Sequence, residues 1–140
     1  LAIVWGKPVP AAATVDTLIG RSPRDRKKMS ARPATGRRAI THYRIEESLA
    51  GVSLVRVRIE TGRTHQIRVH MAHIGHPVVG DRQYGRNRAT ARPDRAGRQM
   101  LHAETLAFRH PVTGTPVEFH APLPADFREL LTQCRDAAYR

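Results

Sequence analysis

Residues 52–77 constrain the fold most, because three kinds of backbone punctuation follow one another there without a gap. In Val52–Glu60, the residues Val55, Val57 and Ile59 alternate with Arg56, Arg58 and Glu60, the period of two that a strand with one dry and one wet face requires. Thr61-Gly62-Arg63 then turns the chain. From His65 to Ile74, Ile67, Met71 and Ile74 recur at i, i+4 and i+7, which predicts a helix over 65–74. Thr64 is its expected N-cap, Gly75 can close it, and Pro77 prevents its continuation. A strand, a glycine turn and a helix N-terminus thus place free backbone N–H groups and a positive dipole end beside Arg63 and His65. Such a place suits an anion.

The rest of the chain reads as short elements of both kinds. Leu1–Trp5 resembles a buried interior strand stopped by Gly6 and Pro8, and because the chain opens inside this run, an N-terminal portion is expected to be missing. Residues 6–20 are too irregular to assign. Residues 20–38 hold eight basic residues without apolar periodicity and are expected to form a loop, mobile when no anion is bound. Ala39–Glu47 and Val52–Glu60 form an expected hairpin across Ser48–Gly51. A second basic, polar stretch covers 85–98. Leu101–Phe108 and Pro116–His120 follow as strands joined through His110–Gly114, and Phe127, Leu130, Leu131 and Cys134 share one stripe of a helix over 124–139. The expected fold class is α+β, a mixed, mainly antiparallel sheet with helices on one side.

Composition narrows the partner. The 140 residues carry 24 Lys+Arg against 12 Asp+Glu, a formal charge of +12. That excludes an ordinary acidic metabolic enzyme acting on neutral solutes and favours a polyanion. No long apolar run or amphipathic basic helix points to a membrane, so nucleic acid is the expected partner. Only three of these cations are lysines, and arginine forks suit phosphate pairs and stacking. The single cysteine, Cys134, rules out an internal disulfide and a zinc cluster built on paired cysteines. A reducing cytoplasmic location is the default.

The string THQIRVHMAHIGHPVVGDRQYG, residues 64–85, resembles the signature of the RluA-type RNA pseudouridine synthases, TGR-[ST]-HQ-[IL]-RVH followed by GHP-[IL]-xGD-xx-YG. LAIVWGKP, RKKMSA, ITHYRI and LHAETLAFRHPVTG are similar to other segments of that family, so the resemblance covers nearly the whole chain. It implies that residues 1–140 are the C-terminal part of one pseudouridine synthase catalytic domain. The implied reaction is uridine isomerisation in structured RNA. The target uridine is flipped out of its stack, an aspartate attacks ribose or base, the glycosidic bond breaks, and the uracil turns and is rejoined through C5, with no metal or cofactor. By match to the motif, Arg68 is the catalytic arginine that ion-pairs with that aspartate, and Ile67 is the aliphatic residue near the target ring. The aspartate motif, of the form HRLDxxTSG, is absent: Asp16, Asp25, Asp81, Asp94, Asp126 and Asp136 lie in other contexts. The tyrosine that stacks on the base would precede Leu1. The fragment alone is therefore expected to be inactive.

Candidate RNA-binding residues are Arg63, Thr64, His65 and Gln66 at the helix start, Lys27, Lys28 and Met29 by match to the family's basic loop, and Tyr43 on the first hairpin strand, for which packing competes with a substrate role. Asp81 reads as a turn partner of a nearby arginine. His65, His70, His73 and His76 spread too widely on the helix wheel, without cysteine or paired carboxylates, for a metal site to be expected. Ribosomal RNA of the large subunit is the first expected substrate and transfer RNA the second. A non-catalytic RNA-binding or ribosome-associated module is the alternative, and a structural domain whose arginines reflect only genome composition is a third reading.

Overall fold

The computed structural model describes residues 1–85 and 96–138. Most of the basic stretch expected over 85–98 lies outside the described residues. Strands β1 (Ala2–Trp5), β2 (Ala12–Arg21), β3 (Met29–Ser30), β4 (Arg37–Ser48) and β5 (Val52–Ile59) form one sheet in the order β1-β5-β4-β2-β3. Helix α1 (Gln66–His73) follows β5, and a separate hairpin of β6 (Thr105–Arg109) and β7 (Pro116–His120) precedes helix α2 (Ala125–Ala138). The α+β class is as expected, and every strand pairing among the described residues is antiparallel rather than mixed.

The stretch that resisted assignment contains the ten-residue strand β2, paired with β4 from Ala12–Arg44 to Ile19–Arg37. Asp16 and Gly20 are poor strand formers, yet Val15 and Ile19 point to the buried face while Asp16 and Leu18 are exposed. Cross-strand pairing with β4 supplies what local propensity does not. The basic segment 20–38 is likewise no open loop. Lys27 N donates to Asp25 Oδ1 (3.0 Å), Lys28 N to the Asp25 carbonyl (2.9 Å) and Ser22 N to the Lys28 carbonyl (2.9 Å), which folds residues 22–28 into a closed turn that returns as β3 beside Gly20 and Arg21.

Both faces of the sheet are covered at the β1/β5 edge, which corrects the expectation of helices on one side only. Phe127, Leu130, Leu131 and Cys134 of α2 pack on Ile3, Trp5, Val52 and Leu54, while Met71 of α1 packs on Ala2, Val4, Val15, Tyr43 and Val55 from the other face. Alternation along β1 and β5 makes this possible, since successive residues point to opposite layers. A bulge at Glu46 turns Glu47 toward α2, where its carboxylate receives Arg135 at 2.7 Å. The outer edge of β1 is occupied as well. Ile3 N bonds to the Met100 carbonyl (3.0 Å), Val79 N to the Ile3 carbonyl (2.8 Å) and Trp5 N to the Pro77 carbonyl (3.0 Å). The remaining face of β2, β4 and β5 is a polar ladder in which Asp16 pairs with Arg38 and His42 bridges Thr14 and Glu60.

Helix α1 stops as expected. Gly75, at φ +86°, lets its own N–H reach the Ala72 carbonyl (3.0 Å) and the His76 N–H reach the Met71 carbonyl (2.9 Å), a Schellman closure. Its start and its buried face differ from the sequence reading. Thr64 does not cap it; His65 is the N-cap residue, in the left-handed region at φ 56°, without a side-chain cap bond. The buried positions are Gln66, Val69, His70 and Met71, while Ile67 and Ile74 are only half-buried. Polar side chains hold this face. Gln66 Nε2 donates to Thr41 Oγ1 (3.0 Å), Thr41 Oγ1 lies 2.7 Å from His70 Nδ1, His70 Nε2 lies 2.9 Å from Thr17 Oγ1, and Thr17 Oγ1 donates to the Leu18 carbonyl (3.0 Å). With Thr17 spending its hydrogen on Leu18 and Thr41 accepting from Gln66, the ring has its hydrogen on Nε2 and accepts at Nδ1.

His70 is fully buried, and burial, with His73 adding, lowers its pKa from 6.5 to about 4. Between these values the unfolded chain binds a proton that the folded chain refuses, so stability is full above pH 6.5 and falls as pH drops toward 4. The loss is expected to approach about 3 kcal/mol, at 1.36 kcal/mol per pKa unit. Urea unfolding at pH 7.5 and 4.5 measures it, with nuclear magnetic resonance (NMR) showing the His70 ring still neutral near pH 5; a His70 that titrates near 6.5 in the folded chain contradicts the assignment.

Candidate active site

The end of β2, the turn at 22–28, the start of α1 and the segment 81–84 converge on one corner of the α1 face, where Val69, Ile19, Ala39, Met29 and Tyr84 pack together. Arg68 projects from α1 into this corner with 14% of its side chain exposed, and Asp81, whose side chain is wholly buried, receives it. Arg68 Nε donates to Asp81 Oδ2 (2.7 Å) and Nη2 to Oδ1 (2.9 Å), a two-pronged pair that fixes the guanidinium plane. The same Oδ1 accepts the backbone N–H groups of Gln83 and Tyr84, each at 3.0 Å. Burial pushes the Asp81 carboxyl up, but the Arg68 fork and these N–H groups outweigh it and hold the group below the usual carboxylate range. Nη1 of Arg68 has no hydrogen-bond partner among the described residues.

Tyr84 closes the corner. Its ring lies 5.0 Å from the Arg68 guanidinium carbon, its hydroxyl accepts the Met29 N–H (3.0 Å), and the same hydroxyl sits 2.8 Å from His65 Nδ1. Gln83 Nε2 donates to the Lys27 carbonyl at 2.9 Å. The basic turn is therefore anchored to α1 through residues 83 and 84. Burial, with Arg68 adding, lowers the His65 pKa below its ordinary value, so the ring is neutral at physiological pH.

Beside the corner runs a groove of about 540 Å³ between Arg21, Met29, Arg37, Arg63 and Thr64. Gly20 lines it as well, at a point where the chain passes so close that a Cβ would fall 2.0 Å from the Thr35 carbonyl oxygen. Of the candidate residues, the structure thus brings together Arg63, Thr64, His65, Arg68 and Met29, with Lys27 exposed on the turn and Lys28 half-exposed, 3.8 Å from Asp25. Ile67 is half-buried against the Tyr43–Met71 core.

Two candidates are placed elsewhere. Gln66 is buried, and its amide is taken up by the Arg63 and Thr61 donors and by the Ile40 carbonyl and Thr41 hydroxyl, so it builds the turn before α1 instead of reaching RNA. Tyr43 is a core residue at 5% exposure whose hydroxyl donates to the Pro10 carbonyl. Within this chain Arg68 is paired with Asp81, the carboxylate expected to serve a nearby arginine as a turn partner. Gln83 and Tyr84 carry roles that sequence reasoning did not assign, although the spacing of Asp81 to residues two and three later is the signal of a carboxylate capping its own turn.

Removing Asp81 leaves a sheltered guanidinium without its counter-charge and two N–H groups without an acceptor. Asp81→Ala is expected to cost about 3 kcal/mol or more in chemical denaturation, the range for breaking a buried pair. A cost below about 1 kcal/mol would mean that water replaces the carboxylate.

The sequence profile of the family described as RNA pseudouridylate synthase matches residues 1–73. An uncharacterised RNA pseudouridine synthase of Chloroflexus aurantiacus is 49% identical over 98% of this chain and 42% of its own length. The ribosomal large subunit pseudouridine synthase D of Xanthomonas campestris is 45% identical over 100% of this chain and 44% of its own. Among solved structures, human RNA pseudouridylate synthase domain containing 1 matches with a TM-score of 0.75 and 34% identity, over 88% of this chain and 53% of that one. This chain spans less than half the length of these curated relatives.

Proposed function

Because this chain belongs to the RNA pseudouridylate synthase family, we propose that it forms part of an enzyme that isomerises uridine to pseudouridine in structured RNA. Ribosomal RNA of the large subunit is the first substrate, in line with the name of the Xanthomonas relative, and transfer RNA the second; both place the reaction in the cytoplasm. The observation that carries this reading is Arg68, sheltered and held flat by Asp81, in a corner that shares Met29 with a groove lined by Arg21, Arg37 and Arg63. A purely electrostatic clamp gains nothing from a buried, pre-oriented guanidinium; an enzyme that must hold a nucleophile and a phosphate in register does.

Asp81 is not the nucleophile, since both of its oxygens are engaged and its side chain is buried. We place the nucleophilic aspartate and the stacking tyrosine outside these 140 residues, in a catalytic domain of which residues 1–140 are the C-terminal part. That aspartate meets the Nη1 edge of Arg68. The isomerisation then breaks the bond from C1′ to N1 and forms the bond from C1′ to C5, with the C5 hydrogen released as a proton and N1 gaining one. These 140 residues supply orientation and phosphate contact, and alone they bind RNA without turning over.

In the full-length protein, Arg68→Ala is expected to lower tritium release from RNA labelled at uridine C5 by about a hundredfold or more, with RNA affinity nearly unchanged. Activity within tenfold of wild type would remove Arg68 from the chemistry. Wild-type protein that binds RNA but releases no tritium would leave the non-catalytic RNA-binding module in its place. The turn makes a separate prediction. Neutralising Lys27 and Lys28 to Ala should reduce the slope of log affinity against log salt by about 1.4, at about 0.7 per phosphate contact with single strands; an unchanged slope excludes the turn from the RNA contact.

A further inference from the structure

We propose that Tyr84 is a positioning residue that fixes the His65 ring with its hydrogen on Nε2, and that this hydrogen is donated to a phosphate oxygen of the bound RNA strand. The second half rests on the RNA reading above; the first stands on the geometry alone. Tyr84 Oη accepts the Met29 N–H at 3.0 Å, so its own hydrogen is free to point at His65 Nδ1, 2.8 Å away. No other acceptor for that hydrogen is present among the described residues. A neutral imidazole that accepts at Nδ1 must carry its hydrogen at Nε2, and Nε2 of His65 has no partner among the described residues. Tyr84 cannot drift, because Asp81 holds its backbone N–H (3.0 Å) and its ring lies edge-on to the imidazole, with centroids 5.6 Å apart and planes at 73°.

The backbone at His65 is the second observation. It sits at φ 56°, uncommon outside glycine, and such residues persist where the surroundings over-determine them, often at ligand sites. Here the left-handed turn aims the ring at Tyr84 and leaves the outer nitrogen exposed to ligand. The charged groups acting on the ring are Arg68 and Arg21, both positive, and Asp81, negative. Asp81 is neutralised by Arg68, so the field at Nε2 favours an anion over a neutral carbonyl. An uncharged N–H donor in the field of the Arg68 and Arg21 guanidinium groups can approach a phosphate oxygen without adding positive charge to theirs. His65 is thus the neutral member of a phosphate site whose charge comes from arginine.

Two measurements test this on the chain as it stands. Long-range ¹⁵N–¹H spectra of histidine-labelled protein at pH 7.5 should show His65 as the Nε2–H form, and Tyr84→Phe should move the two ring nitrogens toward the averaged shifts of exchanging tautomers. A stem-loop RNA with uridines in its loop should bind His65→Ala about tenfold more weakly, the size of one hydrogen bond to a charged group. Tyr84→Phe should weaken binding about threefold in the wild-type background, a partial loss of the same bond, and should have no further effect in His65→Ala. Replacing the loop phosphates by methylphosphonates should abolish the difference between wild type and His65→Ala. An Nδ1–H form in wild type, or a tautomer that ignores Tyr84→Phe, overturns the lock. Additive losses, or a His65→Ala penalty that survives methylphosphonate, overturn the phosphate contact. A wild-type chain that fails to bind the RNA defeats the RNA reading and the phosphate contact together, and the spectra still decide the lock.

Discussion

Helix α1 is fastened to the sheet by a directed line of hydrogen bonds that runs from Gln66 through Thr41 and His70 to Thr17 and ends on the Leu18 carbonyl. Each group gives its hydrogen to the next, so the line has one sense and one protonation state. An apolar stripe would allow a helix of eight residues to roll or slide by a fraction of a turn at small cost. A buried polar line does not, because a displaced donor or acceptor loses its partner without gaining water. Gln66 extends the constraint upstream, since its carbonyl oxygen accepts the Thr61 hydroxyl (2.8 Å) and the Arg63 N–H (2.9 Å) and so shapes the turn that enters the helix. The rotation of α1 is thereby set, and with it the direction in which Arg68 leaves the helix.

The corner around Arg68 inherits its order from that rotation. Arg68 meets Asp81 because Gly75 ends the helix abruptly and the chain then runs along the outer edge of β1 before turning at residues 81–84. From that turn, Gln83 and Tyr84 reach back to the carbonyl of Lys27 and the N–H of Met29. The basic turn is thus held by backbone bonds, with Met29 and Ala31 packed on the Ile19–Val69 cluster, and Lys27 is left exposed. Structural order and charge are separated: backbone and buried carboxylate provide the first, exposed Arg and Lys the second.

Local pattern made much of this legible. The alternation in β5, the stripe of α2 and the glycine that ends α1 each obey a rule that operates within a few residues. The arginine in QIRVH stands out because a half-sheltered guanidinium needs an anion, and resemblance to a family turned that need into a role. Where partners come from far along the chain, local pattern fails. Strand β2 exists because β4 pairs with it along its length, and Asp16 and Gly20 conceal it. Thr64 has the composition of an N-cap, yet the Gln66 side chain takes the Arg63 N–H and the turn closes differently. For Tyr43, packing competed with a substrate role on local pattern alone, and the covering of that sheet face by α1 settles it as a core residue.

The sequence by itself determined the class of the fold, the short helix that bears Arg68, and the positive charge that calls for an anion, since each depends on periodicity, punctuation or a count of residues. Only the tertiary structure decided what Arg68 pairs with, which face of α1 is buried, and which side chains do the holding. Asp81 lies thirteen residues from Arg68 and Tyr84 fifty-five from Met29, separations over which no helical or strand period has meaning. Their meeting is fixed by the docking of α1 and the path along β1, and those are properties of the packed sheet.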